Sequence, residues 1–226
     1  MFSDRVDAGR QLAARLSRQL QSAEPLPAPT SGTAAPVRAG MERPVVLGLP
    51  RGGVPVAAEV ARALGAELDV LVVRKIGVPW QRELALGAVG EDGVRVLNER
   101  IAAACNLSAE ELDELSDRAR AEVTERLAEL RAGRPAVPLV GRTAILVDDG
   151  VATGATMRAA VDVARARGAA RVIVAVPVAA AEAVEDLRPM VDDVVVLLAP
   201  VDLGGVGLWY RDFTQTTDAE VASLLR

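Results

Sequence analysis

"RTAILVDDGVATGATMRAA", Arg142 to Ala160, is the stretch that decides the fold. An apolar run, Ala144–Val147, ends in two adjacent carboxylates, Asp148 and Asp149. A glycine- and threonine-rich turn follows, and a helical pattern starts at Thr153. Asp149-Gly150 alone is a hairpin signal, but a hairpin needs a second strand and a helix comes next. Free amides at a helix start attract anions, whereas ionised carboxylates accept hydrogen bonds from hydroxyls. A ligand carrying both vicinal hydroxyls and a phosphate, such as a ribose 5-phosphate, suits that mixture. Other phosphate motifs fit poorly. An Asp-x-Asp pair would need an acid at Val151, the turn has no P-loop lysine, and the dinucleotide glycine pattern is absent.

The same rhythm recurs on both sides. Val45–Leu49 reads as a short buried strand, Gly52 and Gly53 turn the chain, and Val54–Leu64 has helical spacing. "ELDVLVVRK", from Glu67, reads as the next strand, completing a βαβ unit. After Val147 come a helix over Thr153–Arg167, a strand over Arg171–Val176, a helix over Ala179–Leu187 and a strand over Val194–Leu198. Wholly apolar strands separated by helices indicate an α/β fold: an open, mainly parallel, twisted sheet of about five strands with helices on both faces. Ligands of such sheets bind at the carboxyl ends of the strands.

The remaining segments frame this core, 44–199. Residues 1–22 hold an amphipathic helix, with Val6, Leu12, Leu16 and Leu20 near one face. Residues 23–43 are rich in Pro and Ala and read as a linker or surface insertion. "ELALGAV" and "GVRVL" make a hairpin closed by "GEDG". Ser108 and Glu111 have capping-box spacing and open a long charged helix, which reads as scaffold. The tail, 200–226, holds Trp209, Tyr210 and Phe213, three of only five aromatic residues, and so draws notice as a ring-binding surface.

Composition excludes several functions. Half of the 226 residues are hydrophobic and a quarter charged, as in a soluble globular chain. Net charge is −5, which argues against nucleic-acid binding by bulk charge. Histidine is absent, so His-based catalysis and most zinc sites are excluded. Cys105 is the only cysteine and reads as a structural thiol in a reducing, cytoplasmic compartment. No window approaches the roughly 18 apolar residues of a membrane span.

"AILVDDGVATGATM" resembles the ribose-5-phosphate loop of the type I phosphoribosyltransferases. The whole chain, including "FSDRVDAG" and "WYRDFTQTTD", is similar to an uncharacterised bacterial branch of that family. The resemblance implies an enzyme, a pentosyltransferase, working as a homodimer in nucleotide metabolism. Such an enzyme uses 5-phosphoribosyl 1-diphosphate with Mg²⁺, releases diphosphate and transfers phosphoribosyl to a small nitrogen acceptor, usually a nucleobase. A non-catalytic phosphoribosyl diphosphate sensor is the alternative, although no helix-turn-helix or basic face is present.

The same resemblance assigns roles by position. Asp148 and Asp149 would bind ribose. Gly150, Val151, Ala152, Thr153, Gly154, Ala155 and Thr156 would wrap the 5′-phosphate. "LGLPRGGV" would be the diphosphate loop, with Arg51, Gly52 and Gly53 as its ligands and a cis Pro50–Arg51 peptide. Arg51, Arg74 and Lys75 would stabilise the leaving diphosphate. Mg²⁺ would arrive through substrate and water near Asp148 and Asp149, without a protein metal site. A mobile flap is expected near 76–94, with Trp80, Gln81, Arg82 and Glu83 as candidates. The two chain ends would form a hood, where Trp209, Tyr210 and Phe213 stack on a base or simply pack the hood. Ala152 stands where members acting on 6-oxopurines carry an acid, so that mode of base recognition is disfavoured.

Overall fold

The computed structural model describes residues 1–22, 43–78, 81–105 and 107–226. Five parallel strands build the main sheet: β1 (Val45–Gly48), β2 (Glu67–Val70), and then β6 (Thr143–Val147), β7 (Arg171–Val178) and β8 (Asp193–Leu198). Their order is β2-β1-β6-β7-β8, so β1 and β6 are neighbours at the centre, with Val45 opposite Ala144 and Gly48 opposite Val147. The two signature loops leave these adjacent strands at the same edge.

Period-two alternation assigns the two faces. Val46, Ile145, Val147 and Ile173 pack under helices α1 (Arg5–Ser22) and α2 (Gly53–Leu64). Leu47, Leu146, Val174 and Val176 pack under α5 (Ala155–Ala166) and α6 (Ala181–Leu187). Every side chain of β1 is buried, which is why the strand reads as an unbroken apolar run.

"ELDVLVVRK" does not form one strand. After β2, Leu71 N–H bonds Gly48 C=O at 3.1 Å, and the chain leaves the sheet. It re-enters as β3 (Arg74–Val78) in a separate antiparallel sheet with β4 (Gln81–Val89) and β5 (Arg95–Leu97). The β4–β5 hairpin is the expected one. Its turn is closed by Gly90 N–H on Val94 C=O, with Asp92 and Gly93 at positive φ.

The long helix is α4 (Ala109–Arg131), opened by the Ser108–Glu111 capping box. Two short helices have no counterpart in the sequence reading, α3 (Glu99–Ala104) and α7 (Asp218–Leu224). Val221 of α7 and Leu225 just after it enter the cluster that holds Val123 and Leu130 of α4. The chain ends meet as expected: Phe2 N–H bonds Trp209 C=O at 2.8 Å, and Arg211 N–H bonds Phe2 C=O at 2.9 Å. The linker expected over 23–43 lies outside the described residues except for Arg43. Trp80 lies outside them too, as do the side chains of Gln81, Arg82 and Glu83. No helix among the described residues is long and apolar enough to cross a membrane.

A buried ion network fastens the small sheet to the core. Arg131 meets Asp69 through Nε and Nη2, at 2.8 and 2.7 Å, and also Glu91, which Arg167 meets as well. These partners come from α4, β2, the β4–β5 turn and the end of α5. The turn at one end of the expected flap is therefore held by charge. Removing one member of a buried network leaves the others uncompensated. Arg131→Met is expected to destabilise the fold by about 3–5 kcal/mol in urea unfolding.

Candidate active site

The site forms where the loops after β1 and β6 interlock. Gly52 and Gly53 start α2 and pass directly against the two acids. A Cβ on Gly52 would sit 1.9 Å from Asp149 Oδ2. One on Gly53 would lie 2.6 Å from Val147 O and 2.7 Å from Asp148 Cα. Only glycine allows these approaches, because the second clash is with backbone and cannot be relieved by a rotamer. Leu49 N–H bonds Val147 C=O at 2.9 Å, carrying the pairing of β1 and β6 into the loops, and the Pro50–Arg51 peptide is cis. Gly53→Ala is expected to force the loops apart and cost about 1–3 kcal/mol, measured by urea unfolding.

The two adjacent acids have different surroundings. Asp148 is set inside the loop with only an edge open to solvent, and its carboxylate accepts Asp149 N–H at 2.8 Å. Burial, and then the neighbouring Asp149 charge, push its pKa well above the usual carboxylate range. Asp149 is paired with Arg5 of α1 at 2.8 Å, both side chains being largely covered. Arg5 also donates to Thr214 C=O at 2.8 Å and lies 4.0 Å over the Phe213 ring.

The raised pKa of Asp148 has a consequence for stability. The folded chain keeps that proton to a higher pH than the unfolded chain does. Between the ordinary carboxylate value and the raised folded one, the unfolded state therefore binds fewer protons, and stability falls as pH rises. Asp148→Asn removes this penalty. The variant is expected to exceed the parent by about 0.5–2 kcal/mol above that window, and the gain should vanish in acid. Urea unfolding at several pH values checks it.

From Gly150 the chain turns into α5. Val151 is tied by paired bonds to the next strand's loop, its N–H to Val178 C=O and its C=O to Ala180 N–H, both at 2.9 Å. Gly154 takes φ 72°, and Ala152, Thr153 and Thr156 are exposed. The loop thus presents its open side, with the first amides of α5, to solvent.

A cavity of about 520 Å³ adjoins this edge. It is lined by Pro50, Arg51, Arg74, Thr156, Arg126 and Asp218, among others. Arg51 and Arg74 are thus brought together as the sequence reading expects. Lys75 is not: as the next residue of β3 it points to the opposite face and lines a second cavity. Two charged residues of the first cavity escaped the sequence reading. Arg126 comes from α4, and Asp218 from the first turn of α7. Asp218 is ion-paired with Arg126 and stands 4.0 Å from Arg51.

The three aromatic candidates separate. Tyr210 is buried, donates to Asp149 C=O at 2.5 Å and stacks with Phe2 and Phe213. Burial, and then the Asp149 charge, hold its phenol protonated. The half-buried Trp209 donates its indole N–H to Leu203 C=O at 3.2 Å. Phe213 alone keeps an open face, 37% exposed, beside Arg5.

Comparison with known proteins agrees with this geometry. The family model of the phosphoribosyl transferase domain matches residues 33–208. In two strains of Mycobacterium tuberculosis, relatives named "Putative phosphoribosyl transferase" are 50% identical over 225 residues, covering 100% of this chain and 46% of the relative. The chain therefore spans about half the length of the curated relatives it matches. The crystal structure of TT1426 from Thermus thermophilus superposes with a TM-score of 0.83 at 45% identity, covering 100% of this chain and 97% of the other. The family match spans both interlocking loops and all five strands of the sheet that carries them, and the chain belongs to the phosphoribosyl transferase domain family.

Proposed function

We propose that the chain binds 5-phosphoribosyl 1-diphosphate and transfers its phosphoribosyl group to a nitrogen acceptor, with release of diphosphate. The observation that carries this reading is the interlock of Gly52 and Gly53 with Asp148 and Asp149. The two carboxylates, the loop that starts α5 and an arginine-lined cavity lie at one sheet edge, which supports the reading. In this reading Asp148 and Asp149 accept the ribose hydroxyls, and Gly150–Thr156 supply amides and hydroxyls to the 5′-phosphate.

Arg51, Arg74 and Arg126 face the diphosphate. As the bond from ribose C1 to the diphosphate oxygen breaks, its electron pair leaves with diphosphate, and the acceptor nitrogen forms the new bond to C1 and gives up its proton to solvent or the leaving diphosphate. Preorganised guanidinium groups aimed at the leaving oxygens lower that barrier. Mg²⁺ would supply further charge neutralisation there. The protein groups fit an ion carried on the diphosphate: Asp149 already meets Arg5, and Asp148 already accepts an amide. Phe213 offers a ring face beside the ribose acids for a flat acceptor, while Tyr210 and Trp209 support it by packing. Ala152 leaves no acid to meet a 6-oxopurine, which favours an adenine-like or orotate-like acceptor.

Diphosphate release tests the reading. The chain is incubated with phosphoribosyl diphosphate, Mg²⁺ and, in turn, adenine, guanine, hypoxanthine, xanthine, uracil or orotate, with a base-free control. Release that depends on adenine or orotate is the expected result. Ligand binding without release under any base would mark a sensor and sink the transferase reading.

A further inference from the structure

A second cavity, of about 770 Å³, lies across β3 from the first. Nothing in the proposed transfer uses it. Its walls come from β3, the β4–β5 hairpin, α3 and α5, and its size is that of ordinary small-molecule sites.

Its chemistry is uneven in an informative way. Lys75, Arg100 and Arg158 contribute three cations to the lining. Arg158 is engaged with Thr153 C=O at 3.0 Å and with Asp186 at 3.4 Å. Lys75 and Arg100, in contrast, make no ion pair or hydrogen bond with the described residues. Surface cations are usually indifferent to partners, but two unpaired ones lining a concave wall with a third focus a positive field there. Asp162 of α5 lines the same cavity, half-buried and with no hydrogen-bond partner among the described residues. Burial raises its pKa. Asp162 follows Arg158 by one turn of α5 and adds a lone acceptor to the cationic lining. Ile101, Leu97 and Met190 provide apolar surface.

We infer that this second cavity binds a nucleoside 5′-monophosphate. Its phosphate would meet Lys75, Arg100 and Arg158. A hydroxyl or amino donor would meet Asp162, and the ring would lie on Ile101, Leu97 and Met190. An inorganic anion would leave Asp162 and the apolar wall unused, and an uncharged nucleoside would leave the cations unused. The two cavities share walls. β3 gives Arg74 to the first and Lys75 to the second, and α5 gives Thr156 to the first and Ala155 to the second. The assignment rests on the second cavity's own residues and holds whether or not the first site catalyses transfer.

Calorimetric titration with AMP, GMP and UMP tests it, with adenosine and inorganic phosphate as controls. At least one nucleotide is expected to bind the parent chain. Affinity should fall tenfold or more in Arg100→Ala and in Asp162→Ala and stay within about twofold in the Asp148→Asn, Asp149→Asn double variant. Arg100 is exposed and unpaired, so its variant should fold, which circular dichroism checks. The inference is overturned if no nucleotide binds or if phosphate binds as well as the nucleotides. It is equally overturned if the Asp148→Asn, Asp149→Asn double variant abolishes binding while Arg100→Ala leaves it intact, since the nucleotide would then occupy the first site.

Discussion

Replacing Asp148 and Asp149 together by Asn is expected to weaken phosphoribosyl diphosphate binding by roughly 10²–10³-fold. Each hydrogen bond from a ribose hydroxyl to an ionised carboxylate is worth about 1.5–3 kcal/mol, and every 1.4 kcal/mol is about tenfold. Asn keeps the size of the side chain but loses the charge and one acceptor. At Asp148 the effect should not come from unfolding, because its ionisation is the one the fold resists. The single variants should differ. Asp149→Asn also releases Arg5, which bridges the acid to Thr214 and Phe213, so it should loosen the hood as well. Asp148→Asn should leave the hood in place. Calorimetric titration of the three variants, alongside urea unfolding, separates these effects. Unchanged affinity in the double variant would remove the ribose role from both residues.

Arg51→Ala is expected to lower kcat/KM for diphosphate release by about 10²–10³-fold, the usual cost of losing one preorganised charge at a leaving group. Arg51 sits on the loop that the glycine interlock fixes, so its position is set by backbone rather than by a flexible tether. Asp218 should act in the opposite direction. Its carboxylate pairs with Arg126 and approaches Arg51, so an incoming diphosphate competes with it for both guanidinium groups. Asp218→Asn should therefore tighten phosphoribosyl diphosphate binding severalfold while relaxing the docking of α7. A loss of affinity in that variant would show that Asp218 organises the arginines instead of occupying them.

The parallel sheet and both signature loops were legible because their signals are local. Buried parallel strands read as unbroken apolar runs, and each loop places its special residues within a few positions of a strand end. The division of "VLVVRKIGV" between two sheets was not legible. It is one continuous β-prone run, and only the bond from Leu71 to Gly48 shows where the chain leaves. That division also placed Arg74 and Lys75 on different cavities. Arg126 escaped for another reason. On a helix charged over most of its surface, spacing tells which side is buried but not which arginine meets a site. The pairing of Arg5 with Asp149 joins residues 144 apart, beyond any local pattern. α7 was different: Thr217 and Glu220 have capping-box spacing, a signal present in the sequence that went unread.

The most direct test of the central claim is a crystal structure of the chain with phosphoribosyl diphosphate and Mg²⁺. The expected result has the 5′-phosphate enclosed by Gly150–Thr156, the ribose hydroxyls on Asp148 and Asp149, and the diphosphate against Arg51, with Arg126 drawn away from Asp218. A ligand bound elsewhere, or one whose phosphates avoid both loops, would contradict the account.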